Sequence, residues 1–138
     1  MDKITQELLN QILNSSDIIS CVGNNEQEFL SETVRSYLTR IAKEKQMIVA
    51  DIAQNSTHGD YVYKVFQGMR NASRDILLAI ALGMSMTDEQ VGRLLRIAGF
   101  AQLDPRNRRD SVIIYAVVRK MSVDDTNDIL YELKEALL

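Results

Sequence analysis

Apolar residues recur at intervals of three and four along most of this 138-residue chain, and this periodicity limits the possible folds. Clear runs are Phe29, Val34, Leu38 and Ile41, then Ile76, Leu77, Ile80 and Ala81, then Val91, Leu94, Leu95 and Ala98. Such spacing places side chains on one face of a helix. The alternation of a half-buried strand is nearly absent, so the sequence predicts an all-α fold.

Turn-forming polar residues and glycines divide this pattern into about eight short helices. The first three are predicted over about 3–14, 26–44 and 47–54. Later helix starts are marked by side chains that can accept a hydrogen bond from the first turn. These N-caps are Thr57 (with Asp60), Ser73, Thr87 (with Gln90), Asp104 (before Pro105) and Ser122 (with Asp125). The preceding helices end at glycines, which tolerate the left-handed conformation: Gly68, Gly83 and Gly99.

The net charge of −3 is distributed unevenly. Residues 1–34 carry six acids and one base, whereas residues 35–74 carry seven bases and three acids. Residues 106–120 carry five bases and one acid. An acidic protein can still present a basic surface, because local potential governs association with nucleic acids more than net charge does.

No set of residues suited to catalysis or metal binding is evident. Cys21 is the only cysteine, so no disulfide or zinc-ligand spacing can be formed, and an inert, half-buried thiol is expected. His58 is the only histidine and lacks the partners that acid–base or nucleophilic catalysis needs. There is no glycine-rich phosphate loop. The protein is therefore predicted not to be an enzyme and to carry no cofactor or metal.

The longest uncharged stretch, residues 76–87, is 12 residues long and too short to span a bilayer. The opening "MDKITQELL" lacks the basic region and apolar run of a secretory signal. A cytoplasmic protein with no membrane partner is expected.

Three segments carry a resemblance to a known family: "YVYKVFQGMRNASRDILLAIALGM", "TDEQVGRLLRIAGFAQLDPRNRRDSVIIYA" and "VDDTNDILYEL". They resemble the phage-repressor (Cro/C1-type, XRE) helix-turn-helix family, in a bacterial subfamily with a helical C-terminal extension. The similarity covers most of the chain and is most specific over residues 61–110. It implies a five-helix DNA-binding-like domain over 26–100. An N-terminal helix and loop would occupy 1–25, and a helical extension over 101–138 would pack on the domain.

In that family the second helix of the pair enters the major groove of DNA. The resemblance assigns groove-facing positions to His58, Gly59, Asp60, Tyr63 and Lys64. It assigns phosphate contacts to Arg70, Asn71 and Arg74, with backbone N–H groups near Ser73. Three residues depart from the family pattern at reading positions: Gly59, Asp60 and Val49.

Several of these residues have alternative interpretations. Asp60 can favour the helix dipole and complete a cap, or it can accept from cytosine N4. Tyr61, Tyr63 and Phe66 could form a stacking platform, but their spacing favours Tyr61 and Phe66 in the core and Tyr63 exposed.

The basic run at 106–109 is similarly ambiguous. Arg106, Arg108 and Arg109 could extend a basic surface. Alternatively they lie in a solvated first turn, with Arg109 or Arg106 paired to Asp110.

Together these features predict a sequence-specific transcriptional regulator that binds double-stranded DNA as a homodimer. Apolar dimer contacts are expected from one of two helices, through Ile4, Leu8 and Ile12 or through Ile129, Leu130 and Leu133. The alternative is a helix-turn-helix-shaped module that binds a protein partner, with DNA binding weak or lost.

Overall fold

The computed structural model describes residues 3–14 and 32–138, and within these ranges the chain is helical with no strand. The helices are α1 (Lys3–Asn14), α2 (Val34–Glu44), α3 (Val49–Ser56), α4 (Gly59–Phe66), α5 (Arg74–Gly83), α6 (Asp88–Ile97), α7 (Arg108–Arg119) and α8 (Val123–Glu132). The predicted all-α class is confirmed. Residues 26–31 of the second predicted helix, Cys21 and the boundary at residue 25 lie outside the described residues.

Three predicted N-caps are confirmed. The hydroxyl of Ser73 accepts a hydrogen bond from the Ile76 amide. Thr87 and Gln90 form a reciprocal capping box at the start of α6. The Ser122 hydroxyl accepts from the amide three residues later and starts α8. Each cap satisfies first-turn N–H groups that have no partner within the helix, so local chemistry fixes these three helix starts.

The predicted cap at Thr57 is wrong. Thr57 has φ 65° and ends α3, its amide donating to the Gln54 carbonyl. The N-cap of α4 is His58, whose side chain makes no capping hydrogen bond. Because a left-handed residue is unsuited to N-capping, which requires extended backbone, the expected pair with Asp60 does not form.

The predicted start at Asp104 and Pro105 is also wrong. Asp104 Oδ1 accepts from the Arg106 amide at 2.9 Å, which forms a turn rather than a helix start. The N-cap of α7 is Asn107, whose side chain accepts from the Asp110 amide at 2.9 Å.

The core surrounds α5, in which residues 77–83 are all buried. Helices α2 to α8 all contribute to one cluster of buried apolar side chains, with Leu38, Ile52, Val62, Leu94, Ile113 and Val123 among its members. The extension α7–α8 therefore shares the core of the preceding helices. Within the described ranges, no helix is both long and apolar enough to cross a bilayer.

A glycine lets α3 approach the end of α5. A Cβ on Gly83 would lie 3.0 Å from the backbone nitrogen of Ser56, which is fully buried. The side-chain amide of Asn55 donates to the Gly83 carbonyl at 3.3 Å. This close approach seats α3, and with it the start of α4, on the core.

Candidate nucleic-acid interface

Helix α4 presents two different faces. Its inner face is formed by buried apolar side chains: Val62, Val65 and Phe66. Its outer face carries exposed positions Gly59, Asp60, Tyr63 and Gln67, with Lys64 half-buried beside them. The period of 3.6 residues explains this division. Four of the five predicted groove-facing positions thus share one accessible surface, and Tyr61, expected in the core, is half-buried.

His58 differs from the other predicted groove-facing residues. It lies in the two-residue turn between α3 and α4 and is half-buried. Its Nε2 is inaccessible to solvent and has no hydrogen-bond partner among the described residues. In this conformation that nitrogen cannot reach a base edge.

Asp60 lies exposed in the first turn of α4, where its carboxylate interacts favourably with the helix dipole. The same charge would repel a nearby phosphate. Gly59 precedes it with φ +34°, and a Cβ there would meet nothing within 4 Å. The first turn of α4 therefore presents backbone and a single carboxylate, and Lys64 supplies a positive charge in the last turn.

A cleft of about 700 Å³ lies beside the C-terminal end of α4 and brings together Arg35, Arg70 and Asn71, all of them exposed. Its one acidic lining residue among those described, Glu32, is half-buried and paired with Arg40 at 3.0 Å. The Arg70 guanidinium lies over the Tyr61 ring, 5.5 Å from its centroid, and the Tyr61 hydroxyl donates to the Asn71 carbonyl. A Cβ on Gly68 would lie 3.1 Å from Cδ of Arg35. Arg35 was not among the DNA-contacting residues predicted from the sequence. The excess of basic residues in 35–74 was the only sequence feature that pointed to it.

Arg74 is not part of that cleft. Its guanidinium forms a two-point ion pair with Asp110, with Nη1–Oδ1 at 3.1 Å and Nη2–Oδ2 at 2.9 Å. It also donates to the carbonyls of Ala101 and Gln102. These bonds tie the start of α5 to the segment between α6 and α7. The structure therefore separates Arg74 from Arg70 and Asn71, with which the family pattern groups it.

A second ion pair also joins α5 and α7, with its arginine on α7 and its acid on α5; we call the region of these two pairs the α5–α7 junction. Arg109 contacts Asp75 at 2.8 and 3.1 Å and donates to two carbonyls near the C-terminus. The predicted pairing of Asp110 with Arg109 or Arg106 is therefore wrong. Arg106 is instead 95% exposed, 3.9 Å from Asp104.

The Asp110 carboxylate is stabilised by its surroundings. Burial alone raises its pKa. Hydrogen bonds from Arg74 and the Asp104 amide, together with the charges of Arg74 and Arg109, outweigh burial and lower the pKa below its ordinary value. The carboxylate is therefore ionised at neutral pH and holds the α5–α7 junction together.

A larger groove of about 1250 Å³ separates α2 from α4 and is closed by residues 47–49; we call it the α2–α4 groove. Its apolar lining includes Met47, Val49 and Phe66. Among the described residues that line it, Arg35, Arg40 and Lys43 are basic and none is acidic, and Arg40 is paired with Glu32 at 3.0 Å. Ile48 and Tyr63, which also line it, are 63% and 40% exposed. The outer face of α4 thus opens onto an apolar channel with a basic rim.

Among the described residues, no group of three or more His, Cys, Asp or Glu side chains could hold a metal ion. No protein-family model matches the chain, and neither curated proteins nor solved structures give a significant match.

Proposed function

We propose that this chain is a sequence-specific DNA-binding transcriptional regulator of the phage-repressor (Cro/C1-type, XRE) helix-turn-helix type that acts as a dimer. The observation that carries the proposal is the α3–α4 pair. Two short helices are joined by a two-residue turn, and the second has an exposed outer face with a basic cleft at its end. In helix-turn-helix proteins the second helix lies in the major groove. Helices α2 to α6 would form the five-helix domain.

The outer face of α4 would read base edges. Gly59 permits close approach of the backbone to the groove, and Asp60 can accept from cytosine N4. Tyr63 and Lys64 supply a hydroxyl and an ammonium group one turn later. This assignment leaves His58 in a supporting position at the turn, because its Nε2 is inaccessible.

The cleft beside α4 would hold the DNA backbone. Arg35 and Arg70 are exposed, and neither forms an ion pair with an acidic residue in the described part of the chain. Asn71 adds a side-chain amide. Contacts of this kind set orientation and affinity without sequence preference. Arg74 supports the cleft indirectly by fixing the start of α5.

Fluorescence anisotropy with a labelled generic duplex at low salt tests the proposal. Non-specific binding by such proteins falls at a Kd of roughly 10⁻⁴ to 10⁻⁶ M, and low salt tightens it. We expect saturable binding in or below that range. No anisotropy change at tens of micromolar protein would refute DNA binding.

Dimerisation is tested by sedimentation with and without duplex DNA. The two recognition helices of a dimer lie about 34 Å apart along the duplex. Of the predicted contacts, Leu130 is fully buried and unavailable, whereas Ile12 is 39% exposed. The side chains of Ile4 and Leu8 lie outside the described residues. A 15.7 kDa monomer under every condition would refute the dimer.

The α2–α4 groove favours a second function, a module that binds an apolar segment of a protein partner. Exposed Ile48 and Tyr63 are unusual at a surface that faces only DNA, where polar and basic residues dominate. This function takes precedence if the duplex titration shows no binding.

A further inference from the structure

The chemistry of the α2–α4 groove specifies its occupant. An apolar lining from Met47, Val49 and Phe66 suits the apolar face of an amphipathic helix. The described rim residues include three bases and no acid, and one of the bases, Arg40, is paired with Glu32, so an occupant without net positive charge suits this rim. The groove extends along α2 from Thr33 to Lys43, which corresponds to roughly 15 Å of helix.

Helix α1 is amphipathic and carries no net charge, since Lys3 and Glu7 are its only charged residues. It is 12 residues long, roughly 18 Å, which matches the groove. Leu13 and Ile12 on its apolar face are 70% and 39% exposed. The C-terminal end of this apolar face is therefore exposed, and it is such a face that normally stabilises an amphipathic helix by packing.

Charge and connectivity point to the same segment. Residues 1–31 carry five acids and one base, opposite in sign to the groove rim, and of these charges α1 itself holds Glu7 and Lys3. Thr33, which directly precedes α2, both caps that helix and lines the groove. The 17 residues between Asn14 and Glu32 can reach up to roughly 56 Å. Helix α1 is thus tethered at the mouth of the groove, which raises its local concentration there to the order of millimolar.

We infer that α1 of the same chain docks in the α2–α4 groove and covers Tyr63 and Gln67 on the outer face of α4. Docking makes α1 a competitor of whatever binds α4. If that ligand is duplex DNA, the N-terminal segment is autoinhibitory, and this second step rests on the proposed function.

Docking is tested in the full chain without DNA. Cys21 is the only thiol, so a nitroxide can be attached there and nowhere else. In ¹⁵N-labelled protein, the amide signals of Met47, Tyr63 and Gln67 should broaden, while those of α8 should not. The double variant Ile12→Asp with Leu13→Asp should remove the broadening. No broadening in the labelled wild type, or equal broadening in the variant, overturns the inference.

A mixed sample separates the same chain from a second copy. Nitroxide-labelled ¹⁴N protein is combined with ¹⁵N protein carrying Cys21→Ser. Same-chain docking predicts no broadening in this mixture. Broadening here as strong as in the singly labelled sample would assign the groove to α1 of another copy and overturn the inference.

The autoinhibitory step is tested by DNA affinity. The Ile12→Asp and Leu13→Asp double variant should bind duplex DNA several-fold more tightly than wild type. The double variant Gln6→Asp with Asn10→Asp adds the same charge to exposed polar positions and should not. Equal affinity of wild type and the apolar-face variant overturns autoinhibition. If no variant binds DNA, the proposed function fails, while the nitroxide result still decides docking.

Discussion

Replacing Asp110 by Asn tests the structural role of the α5–α7 junction. The substitution keeps the shape of the side chain and an acceptor for the Asp104 amide, which bonds to Oδ2 at 3.0 Å. It removes the charge opposite Arg74 and places an amide NH₂ or a neutral oxygen against a guanidinium. The Arg74 side chain is 23% exposed and that of Asp110 is 9% exposed, so water replaces the lost contacts only in part.

The magnitude follows from these exposures. Breaking a buried pair by removing one partner costs about 3–5 kcal/mol, and hydrogen bonds to charged groups contribute about 1.5–3 kcal/mol each. Because Arg74 keeps some solvent and its two backbone acceptors, we expect a loss of about 2–3 kcal/mol in the free energy of unfolding for Asp110→Asn. For a chain of this size, the melting temperature should fall by roughly 6–12 °C.

The effect should depend on pH in one direction. The folded-state pKa of Asp110 is lowered from its ordinary value of 3.8, so the ionised carboxylate stabilises the fold above that value. This stabilisation is lost as pH falls through the lower folded-state pKa. The stability difference between wild type and Asp110→Asn should therefore be constant near neutral pH and shrink below about pH 4.

Urea denaturation followed by circular dichroism measures both effects. Asp104→Asn is the matched control, because Asp104 is exposed and Asn retains the acceptor for the Arg106 amide. It should change stability by less than about 0.5 kcal/mol. Equal losses for the two variants, or a difference for Asp110→Asn that persists undiminished at strongly acid pH, would refute the reasoning.

Three further substitutions have expected outcomes. Gly83→Ala should destabilise the fold by about 1–2 kcal/mol in thermal unfolding, because the new Cβ would press on the Ser56 backbone. This overpacking outweighs the gain in helix propensity, and a stabilised variant would contradict it. Thr57→Gly should stabilise by roughly 0.5–1 kcal/mol, because φ 65° strains a β-branched residue, and a loss would contradict the left-handed assignment. If Asp60 only interacts with the dipole of α4, Asp60→Asn should tighten binding to all duplexes in anisotropy titrations. If Asp60 reads a cytosine, the variant should instead lose about 1–3 kcal/mol of preference at one base pair.

Local features of the fold were predictable from sequence. Ser73, Thr87 and Ser122 cap helices because each lies three residues before an amide that its hydroxyl can reach. The periodic pattern likewise gave the bounds of α1 and the buried face of α4. These features depend on residues within one turn of each other.

The errors come from backbone conformation and from distant partners. Thr57 is left-handed, which is uncommon for a β-branched residue, so its sequence context favoured a cap. Pro105 indicated a helix start, but the Asp104 side chain forms a turn instead. Arg74 and Asp110 are 36 positions apart, and only the packing of α5 against α7 brings them together. The same holds for Arg35 in the basic cleft.

The salt dependence of duplex binding tests the central claim most directly. Wild type is compared with Arg70→Ala and with Arg119→Ala, a matched control in which an exposed arginine also stacks on a tyrosine, Tyr115, at 3.7 Å. If α4 and its cleft bind DNA, wild-type affinity should fall linearly in a plot of log K against log salt. Arg70→Ala should weaken binding similarly for all sequences and reduce the slope by about one, whereas Arg119→Ala should leave it unchanged. An unchanged slope for Arg70→Ala, or equal changes for the two variants, would contradict the proposed interface.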